Sequence, residues 1–208
     1  MTAVRETYRH GDLRQALLTE GLLLAREGGP SAVVLREATR RAGVSPNAAY
    51  RHFRDRAALL GAVSDAAQGC AADRIQQELD AVPVGDDRAA QSRLALRAVG
   101  TGYIAFAQEE PGLFHAAFSV PGDLSQAFSA SKAGRNGLSP FQQLAQALDG
   151  MASSGALDPA RRPGMEFLAW SAVHGLAMLV IDGPLRGLTE EIILSTRERL
   201  LDMVERGI

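Results

Sequence analysis

One cysteine, Cys70, is all the thiol chemistry this chain has, so no internal disulfide can form, and Cys70 reads as a small buried apolar residue. Histidine is as sparse: His10, His52, His115 and His174 lie far apart without metal-ligand spacing, and no metal site or cofactor is expected. Aromatic residues make up only 5% of the sequence, too few for a sheet-rich fold that depends on aromatic and β-branched pairs. Long apolar runs are missing too. The most apolar stretch, Phe167 to Ile181, falls short of the roughly 20 residues a membrane helix needs and contains His174, so it reads as a buried core helix. Residues Met1 to Arg9 carry charges where a signal peptide has an apolar core, which leads to the expectation of a cytosolic protein with no membrane partner.

What is present is Ala, Leu, Gly and Arg, with 46% hydrophobic residues, enough to build a packed all-α core. The net charge of −2 argues at face value against a nucleic-acid partner, but it is unevenly spread. Residues 1–60 hold ten arginines against six acids, a balance of +4, which leaves −6 for the rest. A basic head on an acidic body suits a chain in which only the head meets phosphate.

The head divides into short helices with clear punctuation. Asp12, with Gln15 at the capping-box position, opens a helix carrying Leu13, Ala16, Leu17 and Leu24, and Glu27-Gly28-Gly29-Pro30 ends it. A second helix spans 35–42 and is stopped by Gly43. Ser45 caps a third, with Pro46 at its first position, running to about His52. Asp55 caps a long fourth helix that continues to about Leu79, and the boundary between domains 1–60 and 61–208 is placed inside it. Further helices are expected at about 87–109, 111–118, 138–154, 163–182 and 189–206. Segment 119–137, rich in Ser, Gly and Ala, is expected to be a mobile connection.

Two short helices joined by a tight glycine turn, the second opened by Ser-Pro, suit a helix-turn-helix in which the second helix enters the DNA major groove. Ala38, Ala42, Val44 and Phe53 are apolar where such helices pack; Asn47, Arg51, His52 and Arg54 are polar where a groove is met. Arg51 and Asn47 have the donor patterns for base edges, and Tyr50, His52 and Arg56 suit phosphate. From spacing alone, an ordinary helical hairpin with a solvated basic face stays open as the alternative.

The residues themselves narrow this. Arg9-His10-Gly11-Asp12-Leu13-Arg14, Leu35-Arg36, Arg41-Ala42-Gly43-Val44-Ser45, Ala49-Tyr50-Arg51-His52-Phe53 and Ala58-Leu59-Leu60 together resemble the TetR/AcrR family of one-component transcriptional regulators. Trp170-Ser171-Ala172-Val173-His174-Gly175 is similar to the Trp-His-Gly signature of one subgroup of C-terminal domains in that family. The resemblance implies an N-terminal three-helix DNA-binding domain with a recognition third helix, then a helical-bundle domain that binds a small-molecule effector and dimerises. Carried over, Tyr50 and His52 hold phosphates, Phe53 is core and Arg36 lies near the DNA backbone. The expected DNA-binding set is Arg36, Ser45, Pro46, Asn47, Ala48, Tyr50, Arg51, His52 and Arg56. One departure stands out: where helix two usually begins with Thr or Ser, Val34 can neither cap the helix nor donate to a phosphate.

In the body, Tyr103, Phe106, Phe114, Phe118, Trp170, His174 and Met178 are the candidates for an effector pocket, since aromatics with a few polar groups line such cavities. Trp170 and His174 share a helix face, although a lone histidine on an apolar helix more often makes a single buried hydrogen bond. Ile192, Ile193, Thr196, Leu200 and Met203 form a stripe that suits either a homodimer interface or the chain's own core. The best enzyme signal, Gly100-x-Gly102-x-x-Ala105 with Asp123 in ribose range, lacks a surrounding βαβ unit and is cut short by Pro111-Gly112. The reading is therefore a non-enzymatic regulator, a repressor of palindromic operator DNA acting as a homodimer and released by a small molecule. The alternatives are an oxidoreductase-type nucleotide-binding protein and a helical adaptor.

Overall fold

A computed structural model describes residues 10–120 and 123–207, with side chains from Leu13 onward except Leu124. Among the described residues there are α-helices and short 3-10 turns but no strand. Helix α1 (His10–Ala32) breaks at Gly28 and Gly29, the latter at φ 65°, where the sequence places its stop. The cap expected from the Asp12 side chain lies outside the described residues; the backbone is already helical at His10. Helix α2 (Leu35–Arg41) is closed by the turn at Gly43, whose φ of 68° is left-handed. Ser45 then caps α3 (Pro46–Tyr50) by accepting from the Ala48 N–H at 3.3 Å, and Pro46 fills the first turn. Asp55 caps α4 (Arg56–Asp80) through the Ala58 N–H at 2.8 Å.

The body consists of α5 (Arg88–Glu109), α6 (Pro111–Phe118), α7 (Pro140–Ser153), α8 (Met165–Ile181) and α9 (Glu190–Gly207), within a residue or two of the expected ranges. Asp87 caps α5, and Ser139 with Gln142 forms a full capping box on α7. None of the described helices is long and apolar enough to cross a membrane. Phe167 to Ile181 lies in α8 but is not the fully buried helix its composition suggests: Ala169, Val173, Leu176, Ala177 and Val180 are buried, while Phe167, Leu168 and Leu179 are exposed, because only one side of the helix packs on the body.

Helix α4 runs through both parts. Its first half packs on α1 through Leu59 and Val63, and its second half packs on α5 through Ile75. Glycines mark the closest approaches: a Cβ on Gly102 of α5 would sit 2.6 Å from the Ile75 Cα. That explains Gly100 and Gly102 without a nucleotide, since both lie in mid-helix with Gly100 facing Leu201 and Val173.

Within the segment expected to be a mobile connection, the stretch 123–137 is structured. It forms 3-10 turns at Leu124–Gln126 and Ala130–Lys132 and is tied along α4: Ser131 Oγ donates to Asp65 at 2.7 Å and the Arg135 N–H to Asp73 at 2.7 Å. Its small residues serve close contact. The Ala133 carbonyl lies where a Cβ on Gly69 would come within 2.8 Å.

Candidate DNA interface and ligand cavity

The helix-turn-helix packs as the pattern requires, with Ala38, Ala49 and Phe53 buried and Ala42 and Val44 partly buried against them. Asn47, Arg51 and Tyr50 face outward from α3 and its end, Tyr50 with 59% of its surface exposed; Ser45 and Pro46 are exposed at its start, and Ala48 is half-buried against the core. His52 is half-buried.

The arginines of this head are not equivalent. Arg26 makes a two-pronged pair with Glu110 at 2.8 and 3.0 Å. Arg40 binds Glu37, and Arg41 binds both Glu27 and Glu37, which holds the Glu37 carboxyl down at about 2. Arg54 pairs with Asp55, and Arg14 stacks over Phe53 at 5.3 Å. Arg56, one of the residues expected at phosphate, donates to the carbonyls of Val33 and Pro30 at 2.8 and 2.6 Å while remaining exposed. It braces the α1–α2 turn, giving the Val33 carbonyl a donor and the Pro30 carbonyl a second one beside the Val33 N–H at 3.4 Å. Among the described residues, Arg36 and Arg51 remain exposed with neither an ion pair nor a side-chain hydrogen bond. Val34 stands at the α2 N-cap in extended backbone with no side-chain acceptor, as its chemistry demands.

In the body, a cavity of about 290 Å³ opens between α4, α5, the end of α6, α7, α8, α9 and the 123–132 segment. Of the seven residues proposed for a pocket, Tyr103, Phe118 and Trp170 line it. Phe106 and Phe114 are buried core, and Met178 packs against that core. His174 stands one hydrogen bond behind the wall: its Nδ1 is 2.9 Å from the Tyr103 hydroxyl, which also accepts the Trp170 Nε1–H at 3.1 Å. Burial lowers the His174 pKa and pushes the Tyr103 hydroxyl far above its usual range, so both are neutral. An indole N–H only donates and so occupies an acceptor site of the phenol oxygen; on that basis we assign the tyrosine proton to Nδ1 and the histidine proton to Nε2. Lining residues that composition did not single out include Phe141, Leu144, Val173 and Lys132. They come from separate elements, and no local spacing joins them.

The α9 stripe divides. Ile193 is buried and Leu200 packs against the same core, so these two belong to the chain's interior. Ile192 and Met203 point outward, 47% and 60% exposed, with Thr196 partly exposed between them and donating to the Ile192 carbonyl. On α8, Leu168, Gly175 and Leu179 are exposed at helical spacing, a face the sequence reading did not single out.

A compact three-helix head with an outward third helix, joined to a cavity-bearing helical body, is the architecture of a one-component DNA-binding regulator. Residues 17–63 match the family described as bacterial regulatory proteins, tetR family, and residues 96–204 match the tetracyclin repressor-like C-terminal domain. The chain belongs to the TetR family of DNA-binding transcription regulators. No curated protein matches it. Solved structures share the fold. A protein with unknown function from Rhodococcus sp. RHA1 superposes with a TM-score of 0.71 at 24% identity, over 95% of this chain and 98% of that one. A putative tetR family transcription regulator from Shewanella sp. PV-4 gives 0.60 at 18% identity, over 90% and 95% of the two chains. A TetR family transcription regulator from Marinobacter aquaeolei VT8 gives 0.54 at 23%, over 91% and 93%.

Proposed function

We propose that this regulator is a cytosolic repressor that binds palindromic operator DNA as a homodimer and lets go when a small molecule fills the body cavity. The observation that carries the DNA reading is that Arg36, Asn47, Tyr50 and Arg51 are exposed together and that Arg36 and Arg51 have no ion pair, whereas Arg26, Arg40, Arg41 and Arg54 pair with carboxylates and Arg56 with backbone carbonyls. In this reading Arg51 and Asn47 meet base edges, and Arg36, Tyr50 and His52 meet phosphates. The domains divide as 1–60 for DNA and 61–208 for effector and dimer. Dimerisation uses the outward face of α8 and α9, Leu168, Gly175 and Leu179 with Ile192, Thr196 and Met203, because an exposed apolar face of two helices is satisfied by a second copy.

Release works through α6. Its last turn, at Ala117 and Phe118, lines the cavity, while its first turn sits on α1 through Gly112 and the Arg26–Glu110 pair. A ligand that shifts Phe118 therefore biases the seat of the DNA-binding head, and two recognition helices fit the operator in one state only.

Affinity selection of the purified protein on random duplex DNA, sequenced at moderate salt, tests this. Enrichment of an inverted repeat is expected; a folded protein that enriches none refutes operator recognition as drawn. With the repeat in hand, Arg51→Ala should lose about 1–3 kcal/mol of discrimination at one base pair per half-site, whereas Tyr50→Phe should weaken all sequences alike.

A further inference from the structure

Of the 22 lysines and arginines in the chain all but one are arginine, and the exception, Lys132, lines the cavity. Three other charged side chains share that lining and each is engaged. Arg97 is held by Glu198, Asp202 and Glu205 of α9, and Glu205 also faces Arg93. Asp123 is exposed to solvent and accepts from the Ser125 N–H. The Lys132 ammonium differs. Its side chain is only 12% exposed, and among the described residues it makes no hydrogen bond. Its ion-pair partner Asp65 stands 3.5 Å away, and that carboxylate's other oxygen is taken by Ser131 Oγ at 2.7 Å.

An ammonium with three N–H donors in an apolar wall is poorly satisfied by one distant carboxylate, and a ligand oxygen at charge-assisted length would satisfy it. The remaining walls, with Phe118, Phe141, Leu144, Trp170 and Val173, accept an apolar body. A volume of about 290 Å³ limits that body to a compact one. We infer that the cavity takes a small hydrophobic carboxylate, its acid group on Lys132 and its aryl or acyl body against the aromatic wall. An organic cation would suit the aromatic faces alone, but Lys132 opposes it. This rests on the cavity being the effector site.

The test uses the full chain, with fluorescence of Trp170, its one tryptophan and itself a lining residue, as the reporter. Octanoate and 4-phenylbutanoate are each titrated against the matching alcohol and the matching trimethylammonium compound. Each carboxylate should bind about ten- to a hundredfold tighter than its alcohol. Lys132→Met, close to isosteric and checked for helicity by circular dichroism, should erase that preference and leave alcohol affinity unchanged; Lys132→Arg should retain it. Equal binding of acid and alcohol, tighter binding of the cation, or an acid preference that survives in Lys132→Met overturns the carboxylate assignment and leaves the cavity as an effector site. No response of Trp170 to any probe removes both.

Discussion

Tyr103→Phe isolates one oxygen at the centre of the body. The ring is 4% exposed and contacts Phe114 and Phe118 at 5.4 and 5.1 Å between centroids, contacts that phenylalanine keeps. What disappears is the acceptor for Trp170 Nε1–H at 3.1 Å and the donor to His174 Nδ1 at 2.9 Å. A net hydrogen bond is worth about 0.5–1.5 kcal/mol, and a buried polar group left unpaired costs about 1–3 kcal/mol. Trp170, which lines the cavity, and His174 behind it are both half-buried rather than fully enclosed, so neither group is wholly cut off from solvent. The expected loss is therefore about 1–3 kcal/mol for the pair of bonds, well below a core truncation. For a chain of this length that lowers Tm by roughly 2–4 °C per kcal/mol. Urea unfolding followed by circular dichroism measures the loss, and the emission of the single tryptophan should shift as its N–H turns to water. Unchanged stability together with unchanged emission would refute the Trp170–Tyr103–His174 chain.

Val34→Thr gives α2 the N-cap oxygen it lacks at nearly constant shape, since Val34 is exposed in extended backbone at φ −119°, ψ 122°. It should stabilise the protein by about 0.5–2 kcal/mol, read as a rise in melting temperature; no rise would mean that the helix end is already satisfied. Because burial puts the folded His174 pKa below its ordinary 6.5, the unfolded chain binds more protons between those two values. Stability should therefore fall as pH drops below about 6.5 and level off beneath the folded pKa, a slope that urea midpoints should show and that His174→Gln should remove. Gly112→Ala drives a Cβ into the Ala25 carbonyl oxygen of α1. It should cost roughly 1–3 kcal/mol by forcing α6 off α1, and a variant as stable as the parent by denaturant titration would show that this seat is loose.

The parts of the fold that could be read in advance are those fixed within a few residues of themselves. Ser45-Pro46, Gly43 and Asp55 each solve a local problem of helix ends, and each does so in the structure, so α3 was legible from chemistry confined to about one turn. Charge was legible only as a sum. The balance of +4 in residues 1–60 could not say that Arg26 is bound by Glu110, 84 positions away, or that Arg56 turns to the carbonyls of the preceding turn. Those pairings are tertiary, and they decide which cations can meet phosphate. The α9 stripe shows the same limit from the apolar side: periodicity places Ile192 and Ile193 together, but their side chains lie about 100° apart around the axis, and the packing of α8 and α5 sends one inward and leaves the other exposed. Aromatic content marked Tyr103, Phe118 and Trp170, which line the cavity, together with Phe106 and Phe114, which fill the core behind it. A ring's hydrophobicity is the same on either side of that wall; what separates the two sides is whether another element closes over it, and Lys132, brought in by a segment that composition reads as a mere connection, is a lining group that only the closed structure discloses.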